Sequence, residues 1–244
     1  MLTAAMATAM ATLFLVRHGL TAHTGHTLYG RTSGFDLDER GRSQADDLAR
    51  RLTPVRPTAI YSSPLERCVQ TVAPLAAACR LPVIEDEALI EMHAGSWTGR
   101  PLARLRRLKA WNEVQQRPDT FRFPGGGESF AEARDRALAG VQRIARRHRR
   151  GRVVVATHGD IARILLAELT GAPLERFQRI VVDTASVSVV TIDRAGAARV
   201  HLVNDTGDVG RFAPGGGTPV WEDSATSAPT RAGAARRAGT NLRG

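Results

Sequence analysis

Lysine is almost missing from this chain: of its 34 basic residues, all but Lys109 are arginine. The chain also has few cysteines, few aromatic residues and no long apolar run. Two cysteines in 244 residues, Cys68 and Cys79, cannot build a disulfide framework, so a reduced, cytoplasmic setting is expected. No stretch approaches the roughly 18 consecutive apolar residues of a membrane-spanning helix, so no membrane partner is expected. Aromatic residues make up 5% of the chain, which leaves little for stacking on nucleic-acid bases. No cluster of carboxylates, cysteines or histidines has metal-ligand spacing, so neither a metal nor another cofactor is expected.

What is present is ordinary globular material, 43% hydrophobic and 24% charged, with a net charge of +10. Arginine together with abundant Ala, Gly and Pro reads first as a high-GC coding bias. An affinity for anions is the second reading. Residues 1–11, MLTAAMATAMA, lack a basic leader region and read as a flexible extension rather than a secretory signal. Residues 206–244 turn to Gly, Ala, Thr, Pro and Arg, with Trp221 the exception, and read as a disordered basic tail. Residues 12–205 between them read as one catalytic domain.

Within that stretch, short apolar runs alternate with helical spacing. Strands are expected at 13–16, 59–61, 83–84, 153–156, 187–192 and 200–203. Helices are expected over 43–52, from Pro64 onward with a kink at Pro74, over 102–111, 128–147 and 161–169. The run Val153-Val154-Val155-Ala156 is apolar at every position, as in a strand covered on both faces. The alternation predicts an α/β sandwich around a mainly parallel sheet. The segment 97–127 reads as an insertion over the site at one edge of that sheet.

In open α/β sheets, chemistry gathers at the carboxyl ends of strands. Two expected strands end in a histidine followed by glycine: Arg17-His18-Gly19 and Thr157-His158-Gly159-Asp160. Glycine at each next position lets a ligand approach the backbone. A helix after His158 would present free N–H groups to an anion. Ser62-Ser63-Pro64-Leu65-Glu66-Arg67 puts Arg67 in the first turn of the next helix. Arg17, His18, Arg67 and His158 can thus converge on one anion, and guanidinium forks match phosphate oxygens. Glu91, beside them in a partly buried cleft, can be held protonated as a general acid.

The strings LVRHGLT, SSPLERCVQT, EMHAGSWTG, PGGGES and ATHGD, in this order, resemble the signature of the histidine phosphatase superfamily, in its phosphoglycerate mutase-like branch. Further stretches resemble an actinobacterial subgroup labelled probable phosphomutase. The resemblance implies a three-layer α/β/α sandwich and hydrolysis of a small-molecule phosphomonoester without metal. It implies His18 as nucleophile, through a phosphohistidine. Arg17, Arg67 and His158 would hold the phosphoryl group, and Glu91 would be the acid and base. Thr24 and Gly159 would join the substrate contacts. A homodimer is left open. Where the mutases carry Glu, Asn and Arg, this chain has Leu20, Thr24 and Met92, which favours a phosphatase over a mutase.

Specificity is expected in the insertion, from Arg100, Arg104, Arg106, Arg107, Lys109 or Arg117, beside Trp97, Trp111, Phe121 and Phe123. Each of these basic residues also fits a solvated helix face. His23 and His26 line the loop mouth or are solvated. His93 bonds within the site or not at all. His148 is expected to be exposed, His201 to lie on a strand, and Cys68 to be a core residue. The arginine run from Arg143 to Arg152 holds no aromatic residue, so specific nucleic-acid binding is not expected.

Overall fold

The all-apolar run at 153–156 is covered on both faces by helices. In a computed structural model, which describes residues 10–207, it forms the third strand of a six-stranded sheet. The expected N-terminal extension and basic tail fall outside the described residues, apart from Met10, Ala11, Thr206 and Gly207. The strands are β1 (Ala11–Arg17), β3 (Ala59–Ser62), β4 (Val83–Glu85), β6 (Arg152–Thr157), β7 (Val187–Ile192) and β8 (Ala198–Asp205). Two-residue strands β2 (Thr27–Leu28) and β5 (Arg100–Pro101) make a separate ladder. The main order is β4-β3-β6-β1-β7-β8. The pairs β3–β4, β3–β6 and β1–β6 are parallel, and β7 and β8 close the far side antiparallel.

Alternate residues of the central strands enter two different cores. Leu13, Leu15, Val153 and Val155 face one core, packed by α5 (Phe130–Arg147) and α6 (Gly159–Leu169). Val16, Ile60, Val154 and Ala156 face the other, packed by α1 (Glu39–Leu52) and α2 (Glu66–Cys79). This period of two gives the expected three-layer α/β/α arrangement. A leucine-sized side chain in either core contributes roughly 1.5–3 kcal/mol by leaving water.

Several helix limits differ from expectation, each for a local reason. α1 begins at Glu39, because Asp38 accepts from the Gly41 N–H at 2.7 Å and caps it. α5 begins at Phe130, behind a capping box between Ser129 and Glu132. α2 starts after Leu65 and runs on through Pro74 to Cys79. The expected helix over 102–111 is broken into α3 (Leu102–Leu105) and α4 (Lys109–Gln116). Leu108 between them is extended, and the break lets Trp111 stack on Trp97 at 6.1 Å. Packing here overrides helix propensity.

The segment 97–127 supplies core as well as surface. Trp97, Phe121 and Phe123 are buried in an aromatic cluster that reaches Phe130 and Phe177. β5 ties the segment to β2, just after the His18 loop.

Candidate active site

Strands β1, β3 and β6 run parallel and end on one side of the sheet, and the loops after them hold the expected residues. The β1–β6 register pairs Arg17 with Thr157, so the two following histidines are neighbours. The His18 N–H donates to the Thr157 carbonyl at 2.9 Å, and the two imidazoles meet edge to face at 5.3 Å.

His18 is buried, and its Nδ1 lies 2.7 Å from the Gly19 carbonyl oxygen. A carbonyl can only accept, so Nδ1 carries the proton and Nε2 of the neutral ring keeps its lone pair. Burial, and then Arg17 and Arg67, hold the His18 pKa well below the usual histidine value. The loop is tightly fitted: the Gly19 N–H donates to Thr71 Oγ1 at 2.8 Å. A Cβ on Gly41 would come 2.0 Å from the Leu20 carbonyl oxygen, so α1 can reach this loop only with glycine there. His158 is fully buried, with Nε2 2.8 Å from Ser63 Oγ. Its pKa is also driven well down, first by burial and then by Arg67, His18 and Arg17.

The two arginines are anchored by main-chain carbonyls through their Nη atoms. Arg17 donates from Nη1 to the Val182 carbonyl at 2.7 Å, and its buried Nε has no partner. Arg67 is fully buried, with its guanidinium 4.6 Å over the Tyr29 ring and Nη2 donating to the Gly30 carbonyl at 2.8 Å. Its Nε is likewise buried without a partner. Buried donors are normally satisfied, so these two suit an incoming anion. Gly159 makes room: a Cβ there would lie 3.2 Å from Arg17 Nε.

Glu91 faces the same cleft. Burial first, then Asp160, push its carboxyl up to about 7, against the opposing pull of the Met92 N–H, Arg67 and Arg17. Near neutrality it is therefore poised to give or take a proton. The main chain beneath it is held by a clamp that the sequence reading missed. Arg31 Nε donates to the Glu91 carbonyl at 2.7 Å, and Arg31 Nη2 reaches Glu128 at 2.9 Å. Arg136 grips both Glu128 oxygens at 3.0 Å and donates to the carbonyls of Ala88 and Ile90. Glu128 is the penultimate residue of the quoted PGGGES string, and that is its only local signal. Glu128→Gln would leave two guanidiniums without their shared carboxylate. We expect a fall in kcat of about tenfold and a lower melting temperature, since breaking a partly buried, hydrogen-bonded charge pair costs roughly 1–3 kcal/mol. Steady-state kinetics and thermal melts check both.

The cleft has a volume of about 1020 Å³, and Arg17, His18, Thr24, Glu91 and Gly159 line it. Arg67 and His158 lie beneath this lining, beside His18. Thr24 faces the cleft, but its hydroxyl is used inside the loop, by the Thr21 N–H at 3.1 Å and the Thr21 hydroxyl at 3.0 Å. Of the insertion's basic residues only Arg106 lines the cleft. Of its four aromatics, Trp111 and Phe123 do, and Trp97 and Phe121 are core. Arg40, Arg51, Arg163 and Arg179 also line it, and the sequence reading does not single them out.

The remaining histidines separate clearly. His26 lines the cleft, whereas exposed His23 packs edge-on against Phe35. His93 is exposed, with its Nδ1 on the Gly126 carbonyl at 3.2 Å. His148 is half-buried rather than exposed, because it caps α5 and pairs with the Tyr61 hydroxyl at 3.0 Å. Cys68 is a core residue beside His158, and burial pushes its thiol pKa up. Among the described residues no group of three or more His, Cys, Asp or Glu is placed to hold a metal ion. No described helix is long and apolar enough to cross a membrane.

The model of the histidine phosphatase superfamily (branch 1) matches residues 13–206. The chain belongs to this superfamily. It is 36% identical over 167 residues to an Arabidopsis thaliana protein named metal-independent phosphoserine phosphatase, covering 66% of this chain and 69% of that one. It is 33% identical over 211 residues to phosphoserine phosphatase 1 of Hydrogenobacter thermophilus, covering 83% and 96%. Mycobacterial glucosyl-3-phosphoglycerate phosphatase has the same fold, with a TM-score of 0.72 at 26% identity, covering 80% of this chain and 99% of that one. This histidine phosphatase is accordingly a phosphoric monoester hydrolase, and the mutase alternative has less support.

Proposed function

We propose that this enzyme hydrolyses a small phosphomonoester through a phosphohistidine on His18. The supporting observation is the fixed tautomer: Nδ1 is bound to the Gly19 carbonyl, leaving Nε2 as a neutral nucleophile between two cations. His18 Nε2 attacks phosphorus as the bond to the leaving oxygen breaks, and Glu91 gives its proton to that oxygen. Arg17, Arg67 and His158 hold the phosphoryl oxygens and spread the transition-state charge. The Gly19 carbonyl supports the positive charge that the ring then carries. In the second half, the Glu91 carboxylate takes a proton from water, the water oxygen bonds to phosphorus, and the bond to Nε2 breaks. Inorganic phosphate and neutral His18 result. Thr24 shapes the loop, and Gly159 leaves space for Arg17.

Met92, buried beside Glu91, offers no charge to hold a doubly phosphorylated intermediate, which favours hydrolysis over phosphoryl return. Phosphoserine and glucosyl-3-phosphoglycerate, named for the relatives, indicate the size of substrate. Two free cysteines suit a cytosolic enzyme.

The test is a rapid quench with radiolabelled substrate in EDTA. Label on protein that is lost in acid and kept in base, and mapped to the His18 peptide, is the expected result. Phosphate release without any such adduct would refute the covalent route.

A further inference from the structure

The cleft is far larger than a phosphoryl group needs, and its wall carries a guanidinium without a side-chain hydrogen bond or ion pair to any described residue. Arg106 sits in the break between α3 and α4 and lines the cleft with Leu102, Trp111 and Val114. It is half-buried, its Nε is shielded from solvent without a partner, and it forms no ion pair or side-chain hydrogen bond with any described residue. The other insertion cations, Arg100, Arg104, Arg107, Lys109 and Arg117, are exposed and do not line the cleft. Arg163 also has a buried Nε without a partner, but its Nη1 pairs with Asp160 at 3.3 Å and it lies close enough to lower the Arg17 pKa, so it belongs to the phosphoryl end of the cleft.

We propose that Arg106 is the specificity residue of this phosphatase and binds a second anionic group, carboxylate or phosphate, on the alcohol half of the substrate. The substrate class is therefore an anionic alcohol esterified with phosphate, not a neutral one. A half-buried guanidinium without a partner, in a cleft wall that also carries Leu102, Trp111 and Val114, is well satisfied by an anion docking on its Nη groups. The half-buried face of Trp111, stacked on Trp97, gives the carbon skeleton an apolar surface beside that charge. The contact is remote from the reacting bond, so it acts mainly on KM. This rests on the phosphatase reading above.

The test compares matched esters that differ only in the distal group. The short pair is 3-phosphoglycerate and glycerol 3-phosphate, and the long pair is 6-phosphogluconate and glucose 6-phosphate. Wild type, Arg106→Ala, Arg106→Lys and Arg107→Ala are assayed, with p-nitrophenyl phosphate as a reference for turnover by wild type. Wild type is expected to favour the anionic member of at least one pair by about ten- to hundredfold in kcat/KM. The pair that shows it reports the distance Arg106 spans. Arg106→Ala should bring the ratio to within about threefold of unity, chiefly through KM, and Arg106→Lys should restore part of it. Arg107→Ala should keep the wild-type ratio. Turnover with no preference in either pair, or a preference untouched by Arg106→Ala, overturns the subsite alone. No turnover of any ester by wild type overturns the phosphatase reading and the subsite with it.

Discussion

His18→Ala is expected to lower phosphate release by at least about 10³-fold for every ester, because the variant has no atom to accept the phosphoryl group. The neighbours make this a clean removal. Arg17 and Arg67 are anchored by the Val182 and Gly30 carbonyls, neither through His18, so the anion-binding donors stay in place. His158 keeps its bond to Ser63. The variant should therefore still bind inorganic phosphate within about tenfold of wild type, at a cost near 1 kcal/mol. Calorimetric titration with phosphate checks this. Lost turnover with retained phosphate binding identifies a nucleophile. Turnover retained within tenfold would place the nucleophile elsewhere.

Glu91→Gln is expected to lower kcat for alkyl phosphates by about 10²- to 10⁴-fold, the usual range for a lost general acid. The loss should be much smaller for p-nitrophenyl phosphate, whose leaving group departs without a proton. A similar loss for both would deny Glu91 the acid role. Its acidity also gives the pH dependence a sign. The acid form is required in the first half-reaction, so kcat/KM for alkyl esters should fall as pH rises through about 7.

The same shift acts on stability in a defined direction. Folding raises the Glu91 pKa from 4.5 to about 7. The folded protein is therefore unpenalised below pH 4.5 and loses stability as pH rises through about 7. Glu91→Gln removes that penalty and should melt higher than wild type at pH 8, by up to about 3 kcal/mol of stability, with no gain at pH 4.5. His18 and His158 act in the opposite sense. Their folded values lie below 6.5, so the unfolded chain takes up protons first as pH falls below 6.5 and the fold weakens. Thermal melts from pH 4.5 to 8 separate the two effects. An active-site carboxyl whose removal stabilises the fold is one held for chemistry.

Much of this site can be read along the chain because its parts are local. Arg17-His18-Gly19 and Thr157-His158-Gly159 each follow an apolar strand, and the strand end alone marks them as exposed to chemistry. The sequence of alternating elements likewise determined the sandwich, since a run such as 153–156 is stable only when covered on both faces.

What the tertiary structure decided is everything that depends on distant residues meeting. The β1–β6 pairing sets the two imidazoles side by side, and that register is a property of two strands rather than of either one. The Glu128 clamp joins Arg31 and Arg136, and no periodicity links positions so far apart in the chain. Six cations of the insertion looked alike in sequence. The break after α3, beside the stacking of Trp111 on Trp97, places Arg106 at the cleft and leaves the others in solvent, because a guanidinium's role follows from what surrounds it and not from its own chemistry.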